Sequence, residues 1–202
     1  GIYDQVVWNL SHGRIWETTL VYETSGYYDH FEPVLVLIAP LYWLWSDVRV
    51  VNMESQIRNG DQLLAEGNLE EARTLFQQIV ANNPNSVAAH NGLARASFGL
   101  GDCPIAIEHQ SISAQLLPRN GSYTVLGDIY TECGKLDEAI DAYLQAMQLD
   151  DKDVRTHFVL ARAYAAKGRI EEAVAEYKRT IELDTEGGFT ERAQHNLQLL
   201  DQ

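Results

Sequence analysis

Charged residues of alternating sign recur at nearly equal intervals along the chain. They are Asp61, Arg95, Asp128 and Arg162. If a repeated structure stacks these positions side by side, they form a ladder of ion pairs, and each exposed pair contributes up to about 1 kcal/mol. The alternative is that the guanidinium groups bind an acidic side chain or a C-terminal carboxylate of a peptide. The sequence favours the ladder, and the peptide-binding alternative involves Arg95, Arg162, Asn91 and Arg155.

The intervals reflect an internal repeat of about 34 residues. Four copies span 53–86, 87–119, 120–153 and 154–187. A recurrent glycine can end a first helix in the left-handed conformation, and two recurrent small residues allow a second helix to approach it closely. The glycines are Gly67, Gly101, Gly134 and Gly168, and the small residues are Gly60, Ala94, Gly127 and Ala161, then Ala72, Ala106, Ala139 and Ala173.

Aromatic residues and prolines also recur in the second half of the repeat, at Phe76, Tyr143, Tyr177, Pro84 and Pro118. The whole pattern closely resembles the tetratricopeptide repeat and covers 53–187. The positions that depart from the pattern are Asn59, Gln110, Asp151 and Thr185. None of these residues breaks a helix. The resemblance implies an all-α fold, an α-solenoid of four helical hairpins.

A further helix is expected after the fourth repeat, within 188–202. Its apolar face would consist of Phe189, Ala193, Leu197 and Leu200, with Thr190, Glu191 and Arg192 facing water. Such a helix covers the apolar end that the last repeat would otherwise expose. We therefore predict a C-terminal capping helix, which brings the array to nine helices.

In tetratricopeptide arrays the first helix of each hairpin lines a concave groove. The resemblance therefore implies a binding groove formed by Ile57, Asp61, Asn91, Arg95, Phe98, Thr124, Asp128, Arg155, Phe158 and Arg162. Small residues flank Phe98 and Phe158, which leaves space for a hydrophobic side chain of a helix or an extended peptide. The residues of the clamp that binds chaperone tails in some relatives are not matched, so that ligand is not predicted.

Residues 1–52 have a different composition. This segment contains all four tryptophans, and its run 34–45 has no charged residue. A run of this length is too short to cross a bilayer, which requires about 20 residues. Its tyrosine and tryptophans suit a membrane interface, but the segment could equally pack on the first repeat as an N-terminal cap. Exposed Trp43 and Trp45 would also favour self-association through this segment.

Several short motifs in the first part of the chain occur together, namely Tyr3-Asp4-Gln5, Trp8, His12-Gly13, Asp29-His30-Phe31, Pro33 and Ala39-Pro40-Leu41-Tyr42. With them, residues 1–49 resemble the first extracytoplasmic loop and the start of the second transmembrane helix of an uncharacterised multi-pass membrane protein family of bacteria and archaea. That family is distantly similar to membrane glycosyltransferases. The resemblance ends after Val48, where a polar repeat follows. A fragment, a fusion and a natural remnant all fit this break.

The resemblance to glycosyltransferases implies an acidic residue that acts as a general base or holds a metal ion. Asp4 and Asp29, with His30 beside it, occupy the positions that could correspond. The favoured interpretation is that the acids are solvated loop residues that cap the helices that follow. Turnover would also require the membrane helices that bind a lipid donor, which this sequence lacks. We therefore predict no catalytic residue and no turnover. No cofactor or metal is predicted either, since the six histidines lack the spacing of metal ligands.

Net charge and cysteine content limit the partners and the compartment. The formal net charge of −14 makes a nucleic-acid backbone an unfavourable partner. Cys103 and Cys133 are predicted to be free thiols, because disulfides are rare in such scaffolds, although adjacent turns could bring them together. No signal peptide is expected in 1–30. The location is membrane-associated, with the repeats outside the cytoplasm, if the N-terminal resemblance holds, and otherwise cytoplasmic.

Two functions follow from these patterns. The favoured one is a non-catalytic protein–protein interaction scaffold that binds a peptide or a partner protein in the concave groove. In the alternative, the chain is a fragment of a multi-pass membrane glycosyltransferase-like protein whose soluble repeat domain recruits partners. Membrane contact through 34–45 would be compatible with either function.

Overall fold

The computed structural model describes residues 52–201, and all regular structure in this range is helical. The helices are α1 (52–65), α2 (Leu69–Asn82), α3 (Val87–Gly99), α4 (Cys103–Leu116), α5 (Asn120–Glu132), α6 (Leu136–Leu149), α7 (Val154–Ala166), α8 (Ile170–Leu183) and α9 (Thr190–Leu200). Of the described residues, 57–201 belong to one compact unit.

From α2 onwards, each helix packs mainly against the helices that precede and follow it in the chain. The first helices of the third and fourth hairpins, α5 and α7, also contact each other. This sequential packing is that of an α-solenoid, in which each hairpin buries its apolar surface against its neighbours. The predicted all-α array of four hairpins and a terminal helix is confirmed for the described residues.

A glycine in the left-handed conformation ends the first helix of every hairpin. Gly67, Gly101, Gly134 and Gly168 have φ values of 79°, 79°, 75° and 74°. A side chain in this conformation places Cβ too close to the following carbonyl oxygen, so other residues adopt it at a cost. The glycines therefore fix the four turns, as the sequence pattern predicts.

In the first and third hairpins a small residue on one helix faces an aromatic ring on the other. A Cβ atom on Gly127 would lie 2.3 Å from Cε1 of Tyr143, and one on Gly60 would lie 2.5 Å from Cζ of Phe76. No rotation of a packed ring relieves contacts of this length without moving the helix. The aromatic ring therefore fills the space that a side chain on the glycine would need.

A polar seam joins the third and fourth hairpins inside the array. The Asn120 side chain donates to the Ala146 carbonyl (3.3 Å) and to Thr156 Oγ1 (3.2 Å). The buried hydroxyls of Thr124 and Thr156 are 2.8 Å apart. The N-cap residue of α7, Asp153, accepts from the backbone N–H of Thr156 at 2.9 Å and also from its hydroxyl. Because every partner in this seam is buried or half-buried, the seam fixes the register of α5 against α7.

The terminal helix caps the array as predicted. Ala193 is fully buried, and Phe189, Leu197 and Leu200 pack partly buried against the last hairpin. The Asp184 carboxylate anchors the start of α9 because it accepts from the backbone N–H groups of Phe189 and Thr190, each at 2.7 Å. Desolvation acts to raise the pKa of Asp184, but these hydrogen bonds outweigh it and lower the pKa.

The prediction of two free thiols is wrong. Cys103 and Cys133 form a disulfide, with their Cα atoms 6.0 Å apart. Cys103 is the first residue of α4 and Cys133 is the C-cap of α5, so the stacking of neighbouring hairpins brings the two together. Closing a loop of this length, 30 residues, restricts the unfolded chain and stabilises the fold by about 3.5 kcal/mol.

We expect reduction of the disulfide to lower the thermal midpoint by roughly 7–14 °C, given 2–4 °C per kcal/mol for a domain of this size. The measurement is thermal unfolding with and without dithiothreitol, with the double variant Cys103→Ser/Cys133→Ser as the control. The variant should melt at the reduced midpoint and ignore the reductant. Two readily labelled thiols in the untreated native protein would contradict the assignment.

We expect Gly127→Ala to destabilise the fold by about 1–3 kcal/mol, because the new methyl group overlaps the Tyr143 ring. Gly121→Ala is the matched control on the same helix, since a Cβ there meets no atom within 4 Å. That change should be neutral or stabilise by up to about 1 kcal/mol. Urea midpoints of the two variants measure the difference, and equal midpoints would rule out the close approach.

Candidate functional site

A cavity of about 460 Å³ lies at the C-terminal end of the array. We call it the C-terminal pocket, and it is lined from α5 and α6 by Asp128, Thr131, Glu132 and Tyr143, from α7 by Arg155, Phe158, Val159, Arg162 and Ala166, and beside and on α9 by Phe189 and Arg192. A second cavity of about 370 Å³ adjoins it, shares Phe158, Arg162 and Arg192, and adds Glu191, His195 and Asn196. The pocket thus contains four of the ten residues predicted for the groove.

Asp128 is held in place by a tyrosine from the core. The Tyr143 hydroxyl donates to Asp128 Oδ1 at 2.9 Å and lies 3.1 Å from Thr131 Oγ1. Burial raises the pKa of Tyr143, so the hydroxyl keeps its proton and remains a donor. The other oxygen of Asp128 pairs with the Arg155 guanidinium. One pair of opposite charges in the pocket is therefore already neutralised.

The predicted ion-pair ladder is only half formed. Arg95 pairs with Asp61 at 3.0 Å, as the alternation predicts. Asp128, however, pairs with Arg155 rather than with another member of the ladder. Arg155 lies in the first turn of α7 and reaches Asp128, whereas the corresponding position before Arg95 is occupied by Ala88. Arg162 is left exposed, with no ion pair or hydrogen bond to any residue in the described range.

Phe158 is not the open apolar surface that the sequence predicts. Only 2% of this residue is exposed, because the capping segment covers it. The Phe189 ring centroid lies 5.3 Å from that of Phe158, and the Arg192 guanidinium stacks 4.6 Å from the Phe158 centroid. Arg192 is exposed, as the sequence predicts, but its guanidinium also contacts the rings of Phe158 and Phe189, which was not predicted. Arg192 follows Phe189 by three residues, and this spacing places both side chains on one side of α9. The stacking could have been predicted from that spacing.

Thr124 is not a groove residue either. It is 1% exposed, and its hydroxyl donates to the Asn120 carbonyl at 3.1 Å within the polar seam. Toward the N-terminal end, Asn91, Asp61 and Arg95 are exposed and Ile57 is partly exposed. Phe98 is 37% exposed and offers an apolar surface. These residues lie on α1 and α3 and do not line the C-terminal pocket.

The remaining predictions concern catalysis, metals and membranes. Asp4, Asp29, His30 and the run 34–45 lie outside the described residues. Within residues 52–201, no group of three or more histidine, cysteine or acidic side chains could hold a metal ion. In the same range, no helix has the length and apolarity needed to cross a membrane.

Two buried histidines fasten loops to the array. His90 Nε2 donates to the Pro84 carbonyl, and His157 Nε2 donates to the Asp151 carbonyl, both at 2.9 Å. The Nδ1 atom of His157 lies 2.6 Å from a Glu176 carboxylate oxygen. With an acceptor at each nitrogen, the imidazolium form satisfies both contacts. Burial works against that charge, but the Glu176 and Asp151 contacts outweigh it and raise the pKa of His157.

The corresponding contact in the second hairpin has the opposite electrostatics. The Nδ1 atoms of His90 and His109 are 3.0 Å apart. Burial, followed by repulsion from His90, lowers the pKa of His109. A positive charge on His109 is therefore disfavoured in the folded protein. The two histidine contacts therefore respond to pH in opposite directions.

Stacked helical hairpins that contact only their neighbours define the class of helical repeat proteins, and in this member the first helices carry a ligand-sized cavity. Matches to family models identify the repeat family within this class. A model described as "TPR repeat" matches 127–168, and two described as "Tetratricopeptide repeat" match 57–118 and 154–186. The chain is a tetratricopeptide repeat protein. A fourth model, described as "Predicted membrane protein (DUF2079)", matches 1–54, in agreement with the resemblance of the first segment.

Solved structures share the fold. The crystal structure of MamA matches with a TM-score of 0.63 and 23% identity over 70% of this chain and 81% of that one. A structure described as "YrrB: a TPR protein with an unusual peptide-binding site" matches with a TM-score of 0.60 and 16% identity over 72% and 74%. For pilF of Pseudomonas aeruginosa the TM-score is 0.59 with 21% identity over 67% and 63%. None of the curated proteins matches the chain significantly. Repeats of this family serve as protein–protein interaction scaffolds, and the fold is typically non-catalytic.

We expect Glu176→Gln to destabilise the protein by about 1–3 kcal/mol at pH 5.5 and by much less at pH 8.5. Because the folded pKa of His157 is raised above its ordinary 6.5, the stabilisation is fully present below pH 6.5 and is lost as pH rises through the folded pKa. Urea unfolding at the two pH values measures it.

Glu182→Gln is the control, because Glu182 forms an exposed pair with Arg179 on the same helix. It should change stability by less than about 1 kcal/mol at either pH. His109, whose lowered pKa makes the fold lose stability as pH falls below 6.5, is present in both variants and cancels in the comparison. An equal loss for Glu176→Gln at both pH values would contradict the charged His157.

Proposed function

We propose that this protein is a non-catalytic scaffold that binds a segment of a partner protein on the face formed by the first helices of its hairpins. The observation that carries the proposal is the C-terminal pocket. Its volume of about 460 Å³ lies within the usual range for ligand sites, roughly 300–1,000 Å³. Polar groups with fixed geometry, such as the Asp128 carboxylate, stand there beside apolar side chains such as Val159.

The form of the pocket favours a peptide over a small substrate. It is built from four separate elements, α5, α6, α7 and the capping segment, and it continues into the adjoining cavity past Arg162 and Arg192. An extended chain can occupy two neighbouring cavities with successive side chains. The described peptide-binding site of YrrB, a protein of the same fold, is consistent with this use of the fold.

A second proposal concerns the place where the scaffold works. We propose that the repeats form the partner-recruiting part of a membrane-associated protein and lie outside the cytoplasm. Two observations support this, the match of 1–54 to a predicted membrane protein family and the disulfide between Cys103 and Cys133. Disulfides persist in oxidising compartments and are rare in the cytosol. A membrane glycosyltransferase-like parent is the enzyme that this arrangement would serve.

The scaffold function is tested by selecting random dodecamer peptides from a phage-displayed library on the full chain. Enriched peptides should bind Ala166→Trp at least tenfold more weakly, which corresponds to about 1.4 kcal/mol, because the indole fills the C-terminal pocket. Ala175→Trp is the matched control, because Ala175 is an exposed residue of α8 outside the pocket. No enrichment, or equal binding to the two variants in fluorescence titrations, would overturn the proposal.

A further inference from the structure

We propose that the C-terminal pocket recognises an acidic segment of the partner, in which an aspartate or glutamate side chain lies next to an apolar side chain. The inference rests on the proposed scaffold function and specifies its ligand. It assigns the carboxylate to Arg162 and Arg192, and the neighbouring apolar side chain to the surface formed by Val159, Ala166 and Phe189.

The first argument is the unequal use of the three arginines in the pocket. Arg155 is paired with Asp128. Arg162 and Arg192 are both exposed and have no carboxylate within ion-pair distance anywhere in residues 52–201. Each guanidinium presents several N–H donors in a plane that matches a carboxylate. Two such groups beside one cavity form a site to which a partner's carboxylate can bind without displacing an existing pair.

The acidic side chains of the pocket do not fill this role. Glu132 and Glu191 line the two cavities, but neither pairs with Arg162 or Arg192 in the described structure. The lining is therefore close to electrically neutral, although the whole chain has a net charge of −14. An acidic partner therefore meets less electrostatic repulsion at this pocket than the net charge of the whole chain would suggest.

The second argument is the position of Arg192. It lies in the first turn of α9, where the positive end of the helix dipole disfavours a cation. The guanidinium is nevertheless held over two rings, 4.6 Å from the centroid of Phe158 and 5.5 Å from that of Phe189. Such stacking fixes the group and leaves its in-plane N–H donors available. The aromatic residues of the cap thus pre-organise a cation at the pocket.

The third argument concerns the apolar component and the direction of the chain. Val159, Ala166 and Phe189 lie at the pocket and are partly or fully exposed, so they can contact an aliphatic side chain. Arg162 and Arg192 line both cavities and mark the boundary between them. A segment that continues past this boundary carries its carboxylate on a side chain within the chain rather than at its end. We therefore assign an internal acidic residue rather than a C-terminal carboxylate.

The test uses fluorescein-labelled dodecamers with amidated C-termini. The probe alternates glutamate with leucine in its central four residues, a second peptide replaces both glutamates by glutamine, and a third replaces both leucines by serine. We expect the full-length protein to bind the probe at least tenfold more tightly than either replacement. Affinity for the probe should fall as sodium chloride rises from 50 to 500 mM, because the contact is charged.

Arg162→Gln and Arg192→Gln should each weaken binding of the probe at least tenfold and leave the glutamine peptide unaffected. Arg179→Gln, which removes an exposed arginine of α8 outside the pocket, should bind like the unaltered protein. Thermal unfolding of all three variants identifies any loss caused by misfolding. If Arg192→Gln is destabilised, the Arg162→Gln result decides.

Equal affinity for the glutamate and glutamine peptides would overturn the acidic ligand while the scaffold function stands. A glutamine–leucine peptide with a free C-terminal carboxylate that binds as tightly as the probe would overturn the internal residue in favour of a chain end. If neither these probes nor the random library binds, the scaffold function itself fails. If library peptides bind in the pocket and are not acidic, only the ligand assignment fails.

Discussion

The close contact between the two helices of each hairpin is the constraint on which the rest of the structure depends. At Gly127 there is no room for a Cβ atom, because the Tyr143 ring occupies that space. The left-handed glycine at the turn allows the chain to reverse within a few residues, and the ring then sets the distance between the helices. Because neighbouring hairpins stack on these surfaces, the contact also determines where the first helices α5 and α7 stand. The pocket between them follows from that geometry.

The capping helix is part of the binding surface as well as the end of the array. Asp184 binds its first backbone N–H groups, and Asn196 donates to the Tyr177 hydroxyl at 3.0 Å, so the helix is fixed at two points. Phe189 and Arg192 are thereby placed over Phe158. The apolar surface that an uncapped array would expose is instead stacked against the Arg192 guanidinium. The capping helix therefore has two roles. It covers the apolar end of the last hairpin, and it brings a cation and an aromatic ring to the pocket.

The sequence predicts what is repeated and loses accuracy where the copies differ. Helices, turns and the cap follow from spacing alone, because each copy repeats the same glycine and small residues. Pairing of Asp128 does not, since it depends on whether another long side chain, here Arg155, can reach the same carboxylate. Burial of Phe158 depends on a helix some thirty residues later in the chain. The disulfide depends on the stacking of two hairpins. The spacing of the cysteines indicates that they lie near each other but does not decide whether they are bonded.

The residue at one core position also differs between the hairpins. In the first hairpin this residue is Phe76, which has no hydroxyl, and Asp61 pairs with Arg95. In the third it is Tyr143, whose hydroxyl holds Asp128.

With Asp128 already hydrogen-bonded at one oxygen, Arg155 takes the other, and Arg162 is left without a carboxylate. In the second hairpin Gln110 donates instead to the Ser122 carbonyl, within the core, and contacts no charged group. The Tyr143 hydroxyl from the core and Arg155 from the surface together occupy both oxygens of Asp128, so Arg162 remains available to a partner. The binding character of this array therefore depends on contacts inside the hairpin as well as on the residues that line its face.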